Sequence, residues 1–266
     1  MNTVAAPLSA RARYLRTLPV ASDGEHPLRV TPDGAVAGRF LRCSLSSVFQ
    51  PVMRLDGSGT VGHEAFIRSF DGTGSDLSPW NLFAHAATDS VLIELDRLCR
   101  TLHVLNYFGR FEPASALFLN VHDRLMLAVG DDHGRAFGRV LSALEIERRR
   151  VVIESPEAMA DDLSMLSYVM LNYRYNGYRI GVNLSRGEQL ERLFDQLRPD
   201  YVKLDAGRDD TARRLPDFAR KCERYGVQLI VKRIGTAGAL EQVRGAGVTL
   251  GQGHALARPS GPDGSA

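Results

Sequence analysis

The sequence predicts a (β/α)₈ barrel in which one strand runs against the other seven. Three observations lead there. The chain has 266 residues, close to the roughly 250 typical of a single eight-stranded α/β barrel. Eight short apolar runs alternate with stretches of helical spacing, the pattern of parallel strands joined by crossover helices. The first two runs are joined only by Asp56-Gly57-Ser58-Gly59, a hairpin connection that makes that pair antiparallel. From pattern alone, a doubly wound open sheet is the competing arrangement.

Taken in order, residues 1–41 read as an N-terminal extension of looser composition. Met1–Leu18 mixes small and basic residues, and Leu28–Leu41 carries the turn signal Thr31-Pro32-Asp33-Gly34 between short apolar stretches, so a small hairpin or extended arm is expected. The barrel is expected over residues 42–260. Its candidate strands are Ser46–Met53, Thr60–Ile67, Ala116–Val121, Val151–Ile153, Tyr178–Val182, Tyr201–Leu204, Gln228–Val231 and Val248–Leu250. Several are rich in Val, Ile and Tyr and too short for buried helices. Between them, Leu95, Leu98, Leu102 and Leu105 form one helical apolar stripe, and Leu215, Phe218, Ala219 and Cys222 form another. Met165, Val169 and Met170 face inward on a third. Pro259–Gly264 cannot continue a regular element, so the chain is expected to fray there, with residues 261–266 a disordered tail.

Composition narrows the function classes. Apolar residues make up 44% and charged residues 24%, as in an ordinary globular domain. A net charge of +2 gives no argument for a nucleic-acid polymer or an anionic membrane. The run Arg148-Arg149-Arg150 reads as a solvated loop. No apolar run approaches the ~20 residues of a membrane span. Arg11, Arg13 and Arg16 are not followed by the apolar core of a signal peptide, so a cytoplasmic location is the default. Cys43, Cys99 and Cys222 are odd in number and lack metal-ligand spacing, which suits reduced thiols. There is no GxxxxGK[ST] phosphate loop. Ser69 and Ser155 have no assignable His partner, and His63 is expected to point to the opposite strand face from Glu64.

In such a barrel, function sits where the strands end. The predicted strands deliver Glu64 and Arg68, Asn120, Glu154, Asn183, Lys203, Lys232 and Gln252 to that end. Singly, each reads as a rim residue; together they suit a site for metal or phosphate.

The motifs around these residues resemble those of EAL domains, a family of cyclic di-GMP phosphodiesterases. Gln50-Pro51 followed by Gly62-His63-Glu64-Ala65-Phe66-Ile67-Arg68 is similar to the family's Gln-Pro and Gly-x-Glu-Ala-Leu-x-Arg, departing only at Phe66. Phe118-Leu119-Asn120-Val121 resembles the strand with a metal-binding Asn. Glu154-Ser155-Pro156-Glu157 resembles Glu-x-Thr-Glu. Asp200-Tyr201-Val202-Lys203-Leu204-Asp205 is similar to Asp-Tyr-Ile-Lys-Ile-Asp. Gly251-Gln252-Gly253-His254 with Pro259 resembles the closing Gln-Gly-Tyr and its proline. The resemblance runs from about Ser46 to Pro259.

It fails in two places. The family's Asp-Asp-Phe-Gly-Thr-Gly stands here as Asn183-Leu184-Ser185-Arg186-Gly187, about one residue short. Its Ala-Glu-Gly-Val-Glu-Thr stands as Val231-Lys232-Arg233-Ile234-Gly235-Thr236. Ligands are thus lost at Asn183, Leu184, Lys232 and Gly235, while Glu64, Asn120, Glu154 and Lys203 remain. Val227–Leu240 contains no Asp or Glu, so no shift of register restores one. The resemblance implies a two-metal mechanism with magnesium or manganese in active members. Two divalent ions ~4 Å apart repel by four times the unit-pair energy, on the order of 16 kcal/mol at an effective dielectric near 20. Glu64 and Glu154, opposed by Lys203 and Lys232, cannot offset that, so no metal and no cofactor are expected. Lys232 is expected to lie against Glu154 or Glu64 in place of a metal.

Nucleotide binding needs less. By resemblance, Gln50, Pro51, Glu64, Phe66, Arg68, Asn120, Lys232, Gln252 and Pro259 stand at binding positions, and Arg68 can fork onto a phosphate. Three readings stay open. The chain is a metal-free cyclic di-GMP receptor, a barrel acting through a protein partner without nucleotide, or a weak phosphodiesterase. The resemblance also makes a homodimer an expectation.

Overall fold

The computed structural model describes residues 9–18, 26–84, 86, 88–108, 110–111, 114–128, 134–205, 207 and 209–262. Residues 1–8, 19–25 and 263–266 of the expected extension and tail lie outside the described residues.

The chain opens with helix α1 (Ala10–Thr17), strands β1 (Leu28–Val30), β2 (Val36–Phe40), β3 (Cys43–Arg54), β4 (Thr60–Phe70) and β5 (Asp76–Leu77), and helices α2 (Pro79–Ala84) and α3 (Asp89–Tyr107). It continues through β6 (Ala116–Asn120), α4 (Asp123–Ala128), α5 (Arg135–Ala143), β7 (Val151–Ser155), α6 (Leu163–Tyr175), β8 (Arg179–Asn183) and α7 (Gln189–Gln196). It ends with β9 (Tyr201–Asp205), α8 (Asp209–Arg224), β10 (Gln228–Lys232), α9 (Ala237–Gly245) and β11 (Leu250–Gly251). Several helices start on side-chain caps. Thr88 accepts from the Val91 amide, Asp162 from Met165 and Thr236 from Ala239, each holding one of the amides a helix start leaves unpaired.

The sheet closes. β4, β6, β7, β8, β9, β10 and β11 are parallel neighbours in that order, and β3 completes the ring by pairing antiparallel with both β4 and β11. This is the expected barrel with one reversed strand, and it excludes the open sheet. All eight expected strands form. β3 is longer than expected because its first residues pair with β2 as well as with β4.

That pairing joins the hairpin β1–β2 to the barrel sheet and lays it across α3. Asn106 of α3 clamps it: the Val36 amide donates to Asn106 Oδ1 at 2.7 Å and Asn106 Nδ2 donates to the Val36 carbonyl at 2.8 Å. At the other end, Ser260 is not frayed. It exchanges two backbone hydrogen bonds with Phe49, 2.8 and 3.0 Å, because the Phe49 amide and carbonyl have no other strand beside them there.

The larger core lies between barrel and helices. Leu95, Leu102 and Leu105, Val169 and Met170, and Leu215, Phe218 and Cys222 are all buried in it, with Leu98, Met165 and Ala219 packed at its margin. A smaller cluster fills the barrel itself. Val52, Ala116, Phe118, Val152, Tyr201, Ile230 and Leu250 meet there. Strand side chains alternate between faces, so the next inward residue along each strand stands above this plug, Lys232 two residues nearer the rim than Lys203 in the strand register. Those residues are Gln50, Asn120, Glu154, Lys203, Lys232 and Gln252. The sequence thus writes an apolar layer and a polar layer in a single stroke of period two.

Candidate functional site

Lys203 stands at the centre of the polar layer, with 1% of its side chain exposed. Its ammonium contacts Glu64 Oε2 at 2.7 Å and Glu154 Oε1 at 2.6 Å, and reaches Gln252 Oε1 at 3.4 Å. Beneath it lies the Phe118 ring, 5.2 Å from Nζ to the ring centre. Asn120 Nδ2 donates to Glu64 Oε1 at 2.6 Å. Strand register sets these groups on neighbouring strands: Glu64 lies opposite Gln50 and Phe118, and Asn120 lies opposite Glu154.

The two carboxylates are displaced in opposite directions. Burial works against the charge of Glu64, but Lys203, then Asn120 and Gln252, outweigh it and hold its pKa below the usual range. Burial dominates at Glu154, Lys203 offsets part of it and the Glu64 charge adds to it, so that its pKa is pushed up to about 7. Burial opposes the charge of Lys203 too, yet Glu154 and Glu64 together raise its pKa. One cation shared by two buried carboxylates can fully compensate only one of them.

Lys232 does not take the place expected of it. Its ammonium pairs with Glu157 Oε1 and donates to Asn183 Oδ1 at 3.0 Å; neither Glu64 nor Glu154 is its ion-pair partner. The reason is vertical position. Lys203 starts one layer lower and fills the gap between the two acids, while Lys232, at the end of β10, is level with Asp205 and meets the residues just above. Asn183 also donates through Nδ2 to the Ser155 carbonyl at 2.9 Å. Leu184, in place of an acid, is fully buried in the core outside the barrel, and Gly235 brings no side chain. The shortened loop after them is held down by Gln189, whose Oε1 accepts from the amides of Ser185 and Arg186 at 3.1 and 2.9 Å.

Above the polar layer opens a cavity of ≈340 Å³, lined among others by Gln50, Glu64, Phe66, Lys232, Arg233 and Gln252. Gln50 donates to the Ala257 carbonyl at 3.0 Å, and Gln252 is 3% exposed. Arg68 is exposed on the rim, on the same face of β4 as Glu64 and Phe66. Pro51 sits opposite His63, one residue off the inward face, and neither it nor Pro259 lines the cavity. His63 faces α3 and meets Tyr107 Oη at 3.1 Å; burial depresses its pKa to about 4. Gly253 is required at this rim, because a Cβ there would lie 2.3 Å from the Ile234 backbone.

Sequence reasoning gave no role to Glu157, Asp205 or Arg233. Arg233 donates from Nη1 to Asp205 Oδ2 at 2.7 Å. The signal was charge bookkeeping: two basic residues stand in the altered β10 motif, and two acids in kept motifs lacked partners. Arg233 adopts φ +61°, the left-handed region that favours glycine, and it stands where the family motif has Gly. Among the described residues no three His, Cys, Asp or Glu gather as a metal cluster.

The EAL domain profile matches residues 34–259. No curated protein sequence matches. Among solved structures, the chain is similar to Bacillus subtilis YkuI, a protein with an EAL domain in complex with substrate c-di-GMP and calcium (TM-score 0.67, 22% identity, 82% of this chain and 56% of that one). It is also similar to Klebsiella pneumoniae BlrP1 with calcium and cyclic di-GMP (TM-score 0.65, 19% identity, 82% and 56%). A third is the Xanthomonas citri FimX EAL domain in complex with c-diGMP (TM-score 0.68, 17% identity, 82% and 88%). The chain spans little more than half the length of the first two. The profile covers most of the sequence, and the motif residues meet at one end of the barrel: the chain belongs to the EAL domain family.

Proposed function

We propose that this chain is a catalytically degenerate EAL domain that binds cyclic di-GMP without metal and acts as a receptor in cyclic di-GMP signalling. One observation carries the proposal: Lys232, in a motif where the family has an acid, places its ammonium on Glu157 and on Asn183 Oδ1, the latter at 3.0 Å. Glu64 and Glu154 are the two acids left from the family's ligand set, and the single Lys203 ammonium lies between them, at 2.7 and 2.6 Å. The residues present do not fit a metal pair. Asn120 and Asn183 are neutral, Leu184 is turned into the core, and Lys232 brings positive charge to the side where acids are missing. A metal pair needs several hard anionic oxygens to offset its own repulsion, and this rim supplies too few of them for metal-assisted hydrolysis.

What survives suits an anionic dinucleotide. Gln50 and Gln252 offer amide edges, Phe66 an apolar wall, Arg68 an exposed fork for phosphate. Each relative named above was solved with cyclic di-GMP, which supports that ligand here. A second reading, a protein-interaction regulator that no longer binds nucleotide, is favoured by the exposed side chains Tyr168, Leu171 and Tyr175 on α6, placed at helical spacing along one face.

Incubation of cyclic di-GMP with the protein and magnesium or manganese, followed by chromatography, tests the proposal. Intact nucleotide retained by the protein is expected, and retention should be lost in Arg68→Ala. Linearised product contradicts degeneracy. Absence of retained nucleotide favours the second reading.

A further inference from the structure

Three features of the cavity mouth are left over once the buried Lys203 pairs are assigned. The first is a donor without an acceptor. Gln252 is 3% exposed and lines the cavity; its Oε1 is used by Lys203. Its Nε2 is buried and, although near enough to Glu64 to favour that charge, makes no hydrogen bond of proper geometry. A buried amide donor left unpaired is costly, and a ligand acceptor relieves it. The second is surplus donors of positive charge. An ammonium has three N–H groups and a guanidinium five. Lys232 uses two, on Glu157 and Asn183, and Arg233 uses Nη1 on Asp205. The third is backbone strain. Arg233 sits at φ +61°, where a side chain is disfavoured and glycine is not. Its side chain remains 69% exposed despite the pair with Asp205.

We propose that Arg233 and Lys232, with Gln252 Nε2, form a direct anion site that holds one phosphate group of a nucleotide ligand on the side of the pocket where the family would place metal. For the identity of the ligand this rests on the receptor reading above; for the anion it does not. The carboxylates Glu157 and Asp205 anchor the two cations and leave their remaining N–H groups for phosphate oxygens, which take several charge-assisted hydrogen bonds at once. Glu64, the acid on the cavity wall, is held by Lys203 and Asn120 and so repels an incoming anion less than a free carboxylate would.

Arg233→Gly is the decisive variant, because glycine suits the left-handed backbone and the fold is kept; its Tm should equal or exceed that of the parent. Two probes are used: inorganic phosphate, followed through the Gln252 side-chain amide by ¹⁵N–¹H NMR, and cyclic di-GMP, followed by calorimetry. Saturable movement of the amide by phosphate is expected in the parent protein. Arg233→Gly should weaken both ligands at least tenfold, with Arg233→Lys in between. Phosphate that still binds through Arg233 while cyclic di-GMP does not would uphold the anion site and overturn the receptor reading alone. Affinities within twofold of the parent in Arg233→Gly would overturn the site and leave Arg233 as a tether for Asp205. Binding of neither probe by the parent would overturn both.

Discussion

Lys203 was visible in the sequence as a polar residue inside an apolar strand, Tyr201–Asp205, and its inward direction followed from the alternation of the strand. Its partners were not legible, because an ammonium reaches several ångströms in any direction and sequence gives no layer height. The same ignorance misplaced Lys232, which lies nearer the rim and finds Glu157. Removing the shared cation leaves two buried carboxylates facing each other, so Lys203→Met should destabilise the fold by about 3–5 kcal/mol, read as a lowered Tm near neutral pH. A pH test follows from Glu154. Its pKa in the folded protein is raised to about 7, above that of an ordinary carboxyl, so the folded state binds more protons across that window. Stability from this group is present at low pH and is lost as pH rises through 7. The difference in Tm between the parent and Glu154→Gln should therefore shift against the parent between pH 5 and pH 8. A difference that stays constant contradicts the assignment.

At the scale of elements, the strands were legible because short Val- and Ile-rich runs between turn residues have few other uses, and the reversed strand was legible because a four-residue link cannot make a crossover. The boundaries were not. β3 extends to Cys43 because β2 lies beside it, and that depends on tertiary contact with α3 rather than on local sequence. Asn106 is 1% exposed and makes two hydrogen bonds to Val36. Asn106→Ala leaves both Val36 backbone groups without that partner, at a cost of about 1–3 kcal/mol for each group left buried. Hydrogen exchange should speed up in Leu28–Phe40 and stay unchanged in β7 to β9. Equal protection in both proteins would show that the hairpin is held by its sheet pairing with β3 alone. The tail after Pro259 was misjudged for the same reason. Proline and glycine spoke against a regular element, but one bridge from Ser260 to Phe49 needs no regular element.

Across the whole molecule, the closed barrel gathers at one rim residues that lie far apart in the chain, from Gln50 to Gln252. Motif order made that convergence readable. The balance of charge inside the rim was readable in sign but not in arrangement. Lys232 stands where the family motif has an acid and Arg233 where it has glycine, and each is anchored by an acid elsewhere in the site, Lys232 by Glu157 and Arg233 by Asp205. On the anion site proposed above, the altered half of the pocket favours an anion over a cation, while the other half keeps Glu64, Asn120 and Gln252 in place. The measurement that bears most directly on metal-free binding is calorimetric titration of cyclic di-GMP into the protein, once with a chelator and once with magnesium. The account predicts binding in the micromolar range with the chelator and the same affinity with magnesium. Binding that appears only when magnesium is present would contradict it.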